Sequence, residues 1–114
     1  LSVRTPVILG AIHNLIHNAI YWSKKGDLDE PPMIRLTAID KSIIISDNGP
    51  GVIAADQERI FNPGFSRRPY GRGFGLYIAK EALKAIDYDI FYLTESDQQL
   101  LEGANFMILK AIDE

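Results

Sequence analysis

The sequence predicts an α+β fold, an α/β sandwich in which helices pack on one face of a mixed, mostly antiparallel sheet. Three observations favour it. The opening segment places apolar residues at helical spacing, four later segments favour strands, and neighbouring strands follow one another as hairpins. The 114 residues suffice for one hydrophobic core. Residues 1–114 are therefore predicted to form a single domain.

The first helix is predicted near the start of the chain, where Pro6 suits a first turn. Its wide apolar face, at helical spacing, consists of Val7, Ile8, Ala11, Ile12, Leu15, Ile16, Ala19 and Ile20. Gly26 and the pair Pro31-Pro32 end this segment.

A β-hairpin is predicted next. Met33–Ile39 and Ser42–Ser46 are β-favouring runs joined at Asp40-Lys41. The turn-forming residues of Asp47–Gly51 then break the second strand, because two glycines around a proline cannot continue a ladder.

The second half of the chain begins with an irregular segment, Val52 to Arg72, with one helical turn around Asp56–Ile60. A second helix is predicted from about Gly75 to Ile86. Two strands follow, separated by a turn that contains Gly103: Tyr88–Thr94 and Asn105–Ile112.

Composition and charge disfavour several classes of protein. The net charge of −3 argues against a generic binder of nucleic acid or membrane surfaces. The absence of cysteine excludes a disulfide scaffold, a thiolate metal site and a cysteine nucleophile. No apolar run reaches the roughly 18 residues of a membrane span. Because the chain opens at Leu1, without Met and within apolar sequence, we expect a fragment of a longer protein.

Asn14 and Asn18 lie four residues apart, so they share one face of the first helix. An amide within an apolar stretch needs a hydrogen-bond partner. Either each is bonded locally, as a cap or helix-to-loop contact, or both form the polar edge of a pocket and offer an amide oxygen to a hard cation such as Mg²⁺.

His13 and His17 have the spacing of a zinc-protease helix, but Asn14 stands where that motif has its general-base Glu. No third ligand is evident. The sequence therefore favours two solvent-facing or locally bonded histidines.

Asp47 ends an isoleucine-rich strand and precedes the turn Asn48-Gly49-Pro50-Gly51. Its carboxylate could accept a hydrogen bond from an exocyclic amine such as that of adenine, and the glycines would let a flat ligand approach closely. The alternative is a plain Asx turn.

A glycine-rich loop, Gly71 to Leu76, opens the second helix, and such loops present free N–H groups that suit phosphate. It matches neither the Walker loop nor the dinucleotide fingerprint. Three flanking cations either face phosphate or form a solvated loop: Arg67, Arg68 and Arg72.

In combination these features resemble the GHKL ATPase superfamily, and most closely the ATP-binding catalytic domain of bacterial sensor histidine kinases. The resemblance covers Val7 to Leu109. Five segments look like family motifs in order: Asn14–Ile20 like the N box, Asp47–Val52 like the first glycine box, Ile60–Pro69 like the F box, Gly71–Leu76 like the second glycine box, and Glu102–Phe106 like the closing Gly-x-x-Phe hairpin.

The resemblance implies a Bergerat-type fold that binds ATP and Mg²⁺ under a lid at about residues 52–72. Asn18 would hold Mg²⁺ with Asn14 beside it, and Arg68 would face the β- or γ-phosphate, so these three are the implied catalytic residues. Asp47 would bond the adenine amine and Trp22 would lie against the nucleoside. The remaining implied nucleotide-binding residues are Gly49, Gly51, Phe61, Gly71, Gly73, Gly75 and Leu76.

Several departures from the family pattern modify this expectation. Asn14 stands where the ATPase branches have a Glu that activates water, which disfavours hydrolysis. Tyr21 replaces a frequent phosphate-binding Lys, a role that Lys24 or Lys25 could take over. Gly64 replaces a usual Phe, which is expected to loosen the lid. The N-terminal strand and the phosphoacceptor helix expected of the family are not recognised in the sequence.

The resemblance therefore predicts a domain that binds Mg-ATP and presents the γ-phosphate to a histidine on a separate dimerisation and phosphoacceptor domain, in the same or a partner chain. A response regulator would act downstream, and the location would be cytoplasmic. Nucleic acid is not an expected partner, and homodimers would form only through upstream helices. The alternatives are a GHKL ATPase, an anti-sigma-type serine kinase, or a degenerate interaction module.

Overall fold

The structure, a computed structural model, describes residues 4–25, 29–66, 75–94, 101 and 103–111. Two helices and four strands occur there in the predicted order: α1 (Arg4–Ser23), β1 (Ile34–Ile39), β2 (Ser42–Asp47), α2 (Gly75–Lys84), β3 (Tyr88–Tyr92) and β4 (Asn105–Lys110). Both helices pack on one face of the sheet, which confirms the predicted α+β sandwich. The C-terminal ends of α2 and β3 come two residues earlier than predicted.

The four strands form a single antiparallel sheet in the order β1-β2-β4-β3. On the central strand β2, Ile45 lies opposite Leu36 of β1 and Phe106 of β4. All pairings between described strands are antiparallel. The parallel component of the predicted mixed sheet is thus not found in the described part of the chain.

The core lies between the helices and the inner face of the sheet. Leu15 of α1, Leu83 of α2 and the strand residues Ile45, Ile90 and Ile108 are each no more than 1% exposed. Complete burial of an aliphatic side chain stabilises the fold by roughly 1.5–3 kcal/mol. These five residues therefore fix both helices over β2, β4 and β3.

The helix α1 is amphipathic over its 20 residues. Its buried residues recur every four positions and form one stripe against the sheet: Ala11, Leu15, Ala19 and Ser23. His13 and His17 are exposed, as expected for the opposite face. No helix within the described ranges is both long and apolar enough to cross a membrane.

The turn after α2 contains Asp87, whose φ of 66° lies in the left-handed region. Aspartate tolerates this region better than most residues because its short polar side chain bonds locally. The Asp87 N–H donates to the Lys84 carbonyl at 3.2 Å, and the Ala111 N–H donates to the Asp87 carbonyl at 2.7 Å. This turn therefore joins the end of α2 to the end of β4.

The first part of the predicted lid is more regular than its sequence indicates. Between residues 53 and 65, five N–H groups donate to carbonyls three residues earlier: those of Asp56, Gln57, Arg59, Asn62 and Phe65. Ile60 is 5% exposed and packs into the core. Consecutive turns thus replace the single helical turn predicted here, because Ile60 buries its side chain.

Candidate functional site

A cavity of about 330 Å³ opens beside α1 and β4, under the segment 50–66. Small-molecule sites in proteins occupy roughly 300–1,000 Å³. The polar side chains of its lining are Asn18, Asp56 and Ser66, and the apolar ones are Trp22, Pro50, Val52, Ile53, Ile60, Phe65, Leu76, Ala104 and Phe106. An apolar, aromatic lining with few polar groups suits a flat heteroaromatic ligand.

Asp47 lies directly behind the cavity wall that Ala104 forms, and it is only 3% exposed. Its Oδ1 accepts hydrogen bonds from the N–H groups of Gly49 at 2.8 Å and Ala104 at 3.3 Å. Burial raises the pKa of the carboxyl above its ordinary 3.8, although these two N–H groups act to lower it. Its second oxygen, Oδ2, accepts no hydrogen bond from a described residue.

Two glycines allow the backbone to close around this carboxylate. A Cβ at Gly49 would overlap the carbonyl oxygen of Trp22 at the end of α1. A Cβ at Gly103 would lie 2.5 Å from Asp47 Oδ1 and 2.7 Å from the Gly49 nitrogen. Only glycine fits at either position without a shift of backbone atoms.

Asn48 serves the frame of the site. Its amide donates to the Pro31 carbonyl at 2.9 Å and accepts from the Met33 N–H at 2.8 Å. The Asn48 N–H also donates to the Met33 carbonyl at 3.2 Å. The side chain therefore attaches the chain that enters β1 to the turn after β2.

Asn14 and Asn18 are half-buried on α1, and neither amide side chain has a hydrogen-bond partner among the described residues. Asn18 lines the cavity. An amide oxygen without a protein partner, at the edge of a pocket, fits a hard cation whose other ligands are phosphate and water oxygens. Where the structure describes the chain, no cluster of three or more His, Cys, Asp or Glu offers an alternative site.

Aromatic residues fix the wall opposite α1. Phe61 packs edge-on against Phe106, with ring centroids 6.2 Å apart, and the ammonium of Lys80 lies 4.8 Å from the Phe61 centroid. Lys80 is itself held by Asp89 at 2.9 Å. Cation–π contact of this kind stabilises by about 0.5–2 kcal/mol, so Lys80 ties the lid residue Phe61 to β3.

The basic residues proposed as substitutes for the family Lys lie on another surface. The Lys25 ammonium is 5.3 Å from the centroid of the Tyr21 ring, and both border a shallow depression with His17 and Lys24. The rings of His13 and His17 are 6.2 Å apart. None of these residues lines the cavity.

Comparison with known proteins decides the family. A family model described as histidine kinase-, DNA gyrase B- and HSP90-like ATPase matches residues 7–111. The chain belongs to this family.

Several curated members are similar in sequence. The sensor-like histidine kinase SenX3 of Mycobacterium tuberculosis is 36% identical over 80 residues, which is 65% of this chain and 19% of that protein. The adaptive-response sensory kinase SasA of Prochlorococcus marinus is 36% identical over 76 residues (62% and 20%). The signal transduction histidine-protein kinase/phosphatase MprB of Mycolicibacterium vanbaalenii is 31% identical over 77 residues (64% and 16%). The matched region is thus at most a fifth of each of these three relatives.

Solved structures of histidine kinases share the fold. Mycobacterial MprB superposes with a TM-score of 0.66 at 23% identity, over 89% of this chain and 69% of that one. The nucleotide-free catalytic domain of the kinase ThkA gives 0.67 at 24% identity (94% and 69%). Full-length ShkA in complex with AMPPNP gives 0.63 at 23% identity (95% and 22%).

The site residues implied by resemblance to this ATPase family fall into three groups. Asn18, Trp22, Gly51 and Leu76 line the cavity. Asp47 and Gly49 lie behind its wall, Phe61 packs against the lining residue Phe106, and Asn14 is one turn away from Asn18. Gly75 is the exposed first residue of α2, and Arg68, Gly71 and Gly73 lie outside the described residues.

Several cavity residues were missed by the sequence analysis. Phe65 follows Gly64, so an aromatic side chain enters the cavity one position after the family Phe. Asp56 is 3% exposed and pairs with Arg59 at 2.9 Å. The i,i+3 spacing of that acid and base was a readable signal of a turn. Ala104 carries no chemical signal, because it acts on Asp47 through its backbone: its N–H donates to Oδ1, and its carbonyl accepts from the Asp47 N–H at 3.0 Å.

Proposed function

We propose that the chain binds Mg-ATP and presents the γ-phosphate for transfer to a histidine on a separate dimerisation and phosphoacceptor domain. The observation that carries this proposal is the state of Asp47: one carboxylate oxygen is fixed by two backbone N–H groups, and the other has no partner among the described residues beside an apolar cavity. An adenine amine would supply the missing donor. Residues 1–114 would act as the catalytic domain of a two-component sensor kinase.

The described residues divide the binding task along the cavity. Trp22 and Phe65 provide aromatic surface for the base. Asn18 would hold Mg²⁺ together with phosphate oxygens, and the ion would neutralise charge that develops on the transferred group. Arg68 and the glycines of the second glycine box are proposed for the phosphates on sequence grounds alone.

Catalysis would consist of positioning and charge neutralisation. A nitrogen of the acceptor imidazole attacks the γ-phosphorus, the bond to the β–γ bridging oxygen breaks, and ADP leaves with that electron pair. His13 and His17 do not border the cavity and are exposed on α1. The acceptor would therefore come from another domain or chain. We further propose that a response regulator acts downstream and that the domain is cytoplasmic.

The proposal is tested by titrating the chain with ADP in a calorimeter, with and without Mg²⁺. We expect binding by the native chain and a loss of at least about tenfold in affinity for Asp47→Ala, since a charge-assisted hydrogen bond contributes about 1.5–3 kcal/mol. Glu81→Ala removes an exposed acid on α2 and is the matched control, with unchanged affinity. Absence of ADP binding by the native chain would refute nucleotide binding.

Transfer itself requires a second experiment. Labelled ATP and Mg²⁺ are incubated with the chain alone and with a phosphoacceptor helical domain from one of the similar kinases. We expect acid-labile label only when that domain is present. Label on the chain alone would place the acceptor on His13 or His17 and contradict the proposed division of labour.

A further inference from the structure

Tyr92 is the last residue of β3, and no sequence motif marks it. Its hydroxyl oxygen accepts a hydrogen bond from the Val52 N–H at 3.0 Å, across 40 positions of sequence. Its ring packs edge-on against Phe106, with centroids 5.3 Å apart. Tyr92 thus connects the sheet edge to the first residue of the lid.

Val52 is held from both sides by side chains. Its N–H donates to Tyr92, and its carbonyl accepts from the amide of Gln57 at 3.0 Å. Gly51, immediately before it, has a φ of 74°, and a Cβ there would be 3.5 Å from the Tyr92 hydroxyl. The strand β2 ends at Asp47, so Val52 lies beyond the hydrogen bonds of the sheet. The side chains of Tyr92 and Gln57 hold its backbone instead.

The hydroxyl keeps its proton in this environment. Burial raises the pKa of Tyr92 above its ordinary value of 10.0, the Val52 N–H lowers it, and the nearby Asp47 carboxylate raises it. A neutral hydroxyl can remain beside the Asp47 charge at physiological pH. The contact with Val52 is therefore independent of pH across the neutral range.

We infer that Tyr92 is a positioning residue of the nucleotide site: its hydroxyl fixes Val52 and thereby the separation between the lid wall and the β4 wall of the cavity. Val52 of the lid lines the cavity, and so do Ala104 and Phe106. Tyr92 contacts Val52 and Phe106 at once, so it sets the distance between them. This inference rests on the proposed nucleotide binding.

The test compares Tyr92→Phe with Tyr88→Phe. Tyr88 lies on the same strand and the same face, and its hydroxyl makes no hydrogen bond to any described residue, so it is the matched control. For Tyr92→Phe we expect amide exchange of Val52 to accelerate by roughly tenfold and the Kd for ADP to rise by about 3- to 10-fold, as expected for one lost hydrogen bond. Tyr88→Phe is expected to change neither quantity.

A third measurement separates positioning from general destabilisation. Because Tyr92 lies near Asp47, the residue proposed for the adenine amine, the Kd for adenosine is expected to rise by the same factor as that for ADP, with the Mg²⁺ dependence unchanged. Exchange of the core amide of Ile108 should stay at its native rate. Native ADP affinity in a folded Tyr92→Phe variant would overturn the inference, whatever the exchange of Val52.

The outcomes remain distinct from failure of the proposed function. If the native chain binds no ADP, both are refuted; if it binds and Tyr92→Phe binds equally, only the positioning role is lost. Should Tyr92→Phe not fold, Val52→Pro removes the same N–H from the other partner. Because Val52 also lines the cavity, Val52→Ala, which keeps the N–H, is measured beside it. A Kd for ADP in Val52→Pro that equals that of Val52→Ala contradicts the inference, and a Kd about 3- to 10-fold higher supports it.

Discussion

Gly103 lies against the carboxylate of Asp47, with no room for a side chain between them. The Gly103 N–H donates to the Asp47 carbonyl at 3.0 Å, and a Cβ on Gly103 would be 2.5 Å from Oδ1. The next residue, Ala104, gives its N–H to the same oxygen. The turn before β4 therefore holds both the backbone and the side chain of Asp47.

This relationship predicts the effect of Gly103→Ala. The added methyl group must displace backbone atoms of Asp47 and Gly49, so we expect a loss of roughly 1–3 kcal/mol in the free energy of unfolding and a loss of at least about tenfold in ADP affinity. Calorimetry and urea unfolding measure the two effects.

Gly10→Ala is the control for glycine replacement. Gly10 is exposed within α1, and a Cβ there would meet no atom within 4 Å. Alanine should therefore raise the free energy of unfolding by about 0.5–1 kcal/mol and leave ADP binding unchanged. Equal ADP affinity in a folded Gly103→Ala variant would show that the turn does not position Asp47.

Asp47→Asn is expected to remove a pH dependence of stability. Because the folded pKa of Asp47 is raised above 3.8 by burial, its contribution to stability is fully present below the unfolded pKa and declines as pH rises through the folded pKa. Asparagine does not titrate, so the variant should gain stability relative to the native chain as pH rises from the unfolded pKa towards neutrality. Urea unfolding at several pH values measures this gap.

The same variant should lose ADP affinity. Its Oδ1 can keep both backbone hydrogen bonds, but an NH₂ group then replaces Oδ2. Because this NH₂ group and the adenine amine are both donors, they cannot form a hydrogen bond with each other. A stability gap that does not change with pH would contradict the raised pKa, and unchanged ADP affinity would contradict the adenine role.

Asn18→Ala is expected to act through the metal. Since the Asn18 amide lines the cavity without a protein partner among the described residues, its loss should cost little stability but reduce the Mg²⁺-dependent gain in ADP affinity by about tenfold. ADP titrations with Mg²⁺ and with EDTA measure the gain. His17→Ala, one residue away on the exposed face of α1, should behave like the native chain, and an undiminished gain in Asn18→Ala would remove Asn18 from the metal site.

Amide exchange rates are expected to differ between two sets of N–H groups in the lid. The N–H groups of Asp56, Arg59 and Asn62 are hydrogen-bonded in successive turns, whereas those of Ala54 and Ala55 have no acceptor among the described residues. We expect the first three to exchange at least about tenfold more slowly than the two alanines in the nucleotide-free protein. Uniformly fast exchange over residues 53–65 would contradict these turns and would agree with the irregular segment that the sequence predicts.

The fold was largely readable from the sequence because its signals are local. The eight-residue apolar face of α1 and the β-favouring run that ends at Asp47 specify their elements directly. The turn-forming run Asp47–Gly51 also predicted that Asp47 and Gly49 belong to one turn. The chain order also indicated the two hairpin pairings, β1 with β2 and β3 with β4. The pairing of β2 with β4, and with it the order of the strands, became known only with the structure, because it joins segments far apart in the chain and has no signal in neighbouring residues.

The remaining parts of the site depend on long-range contacts. Tyr92 resembles any strand tyrosine until its hydroxyl is seen to reach Val52. Ala104 acts through its backbone alone. The turns around Ile60 form because that side chain enters the core. The segment has no periodic apolar pattern from which the burial of Ile60 could be predicted.

The hydrogen bonds that Asn48 makes to Pro31 and Met33 have a consequence for the chemical lifetime of the protein. Asn-Gly sequences are the most prone to spontaneous deamidation, in which the glycine nitrogen attacks the asparagine amide carbon to form a succinimide. Here the Asn48 amide is held by Pro31 and Met33, and the Gly49 N–H is engaged by Asp47 Oδ1. The attacking and attacked groups are thus both restrained, so the folded chain should resist the one-dalton mass gain that its unfolded form acquires in mild alkali. Folding therefore protects Asn48 from deamidation, and Asn48 belongs to the segment that resembles the first glycine box.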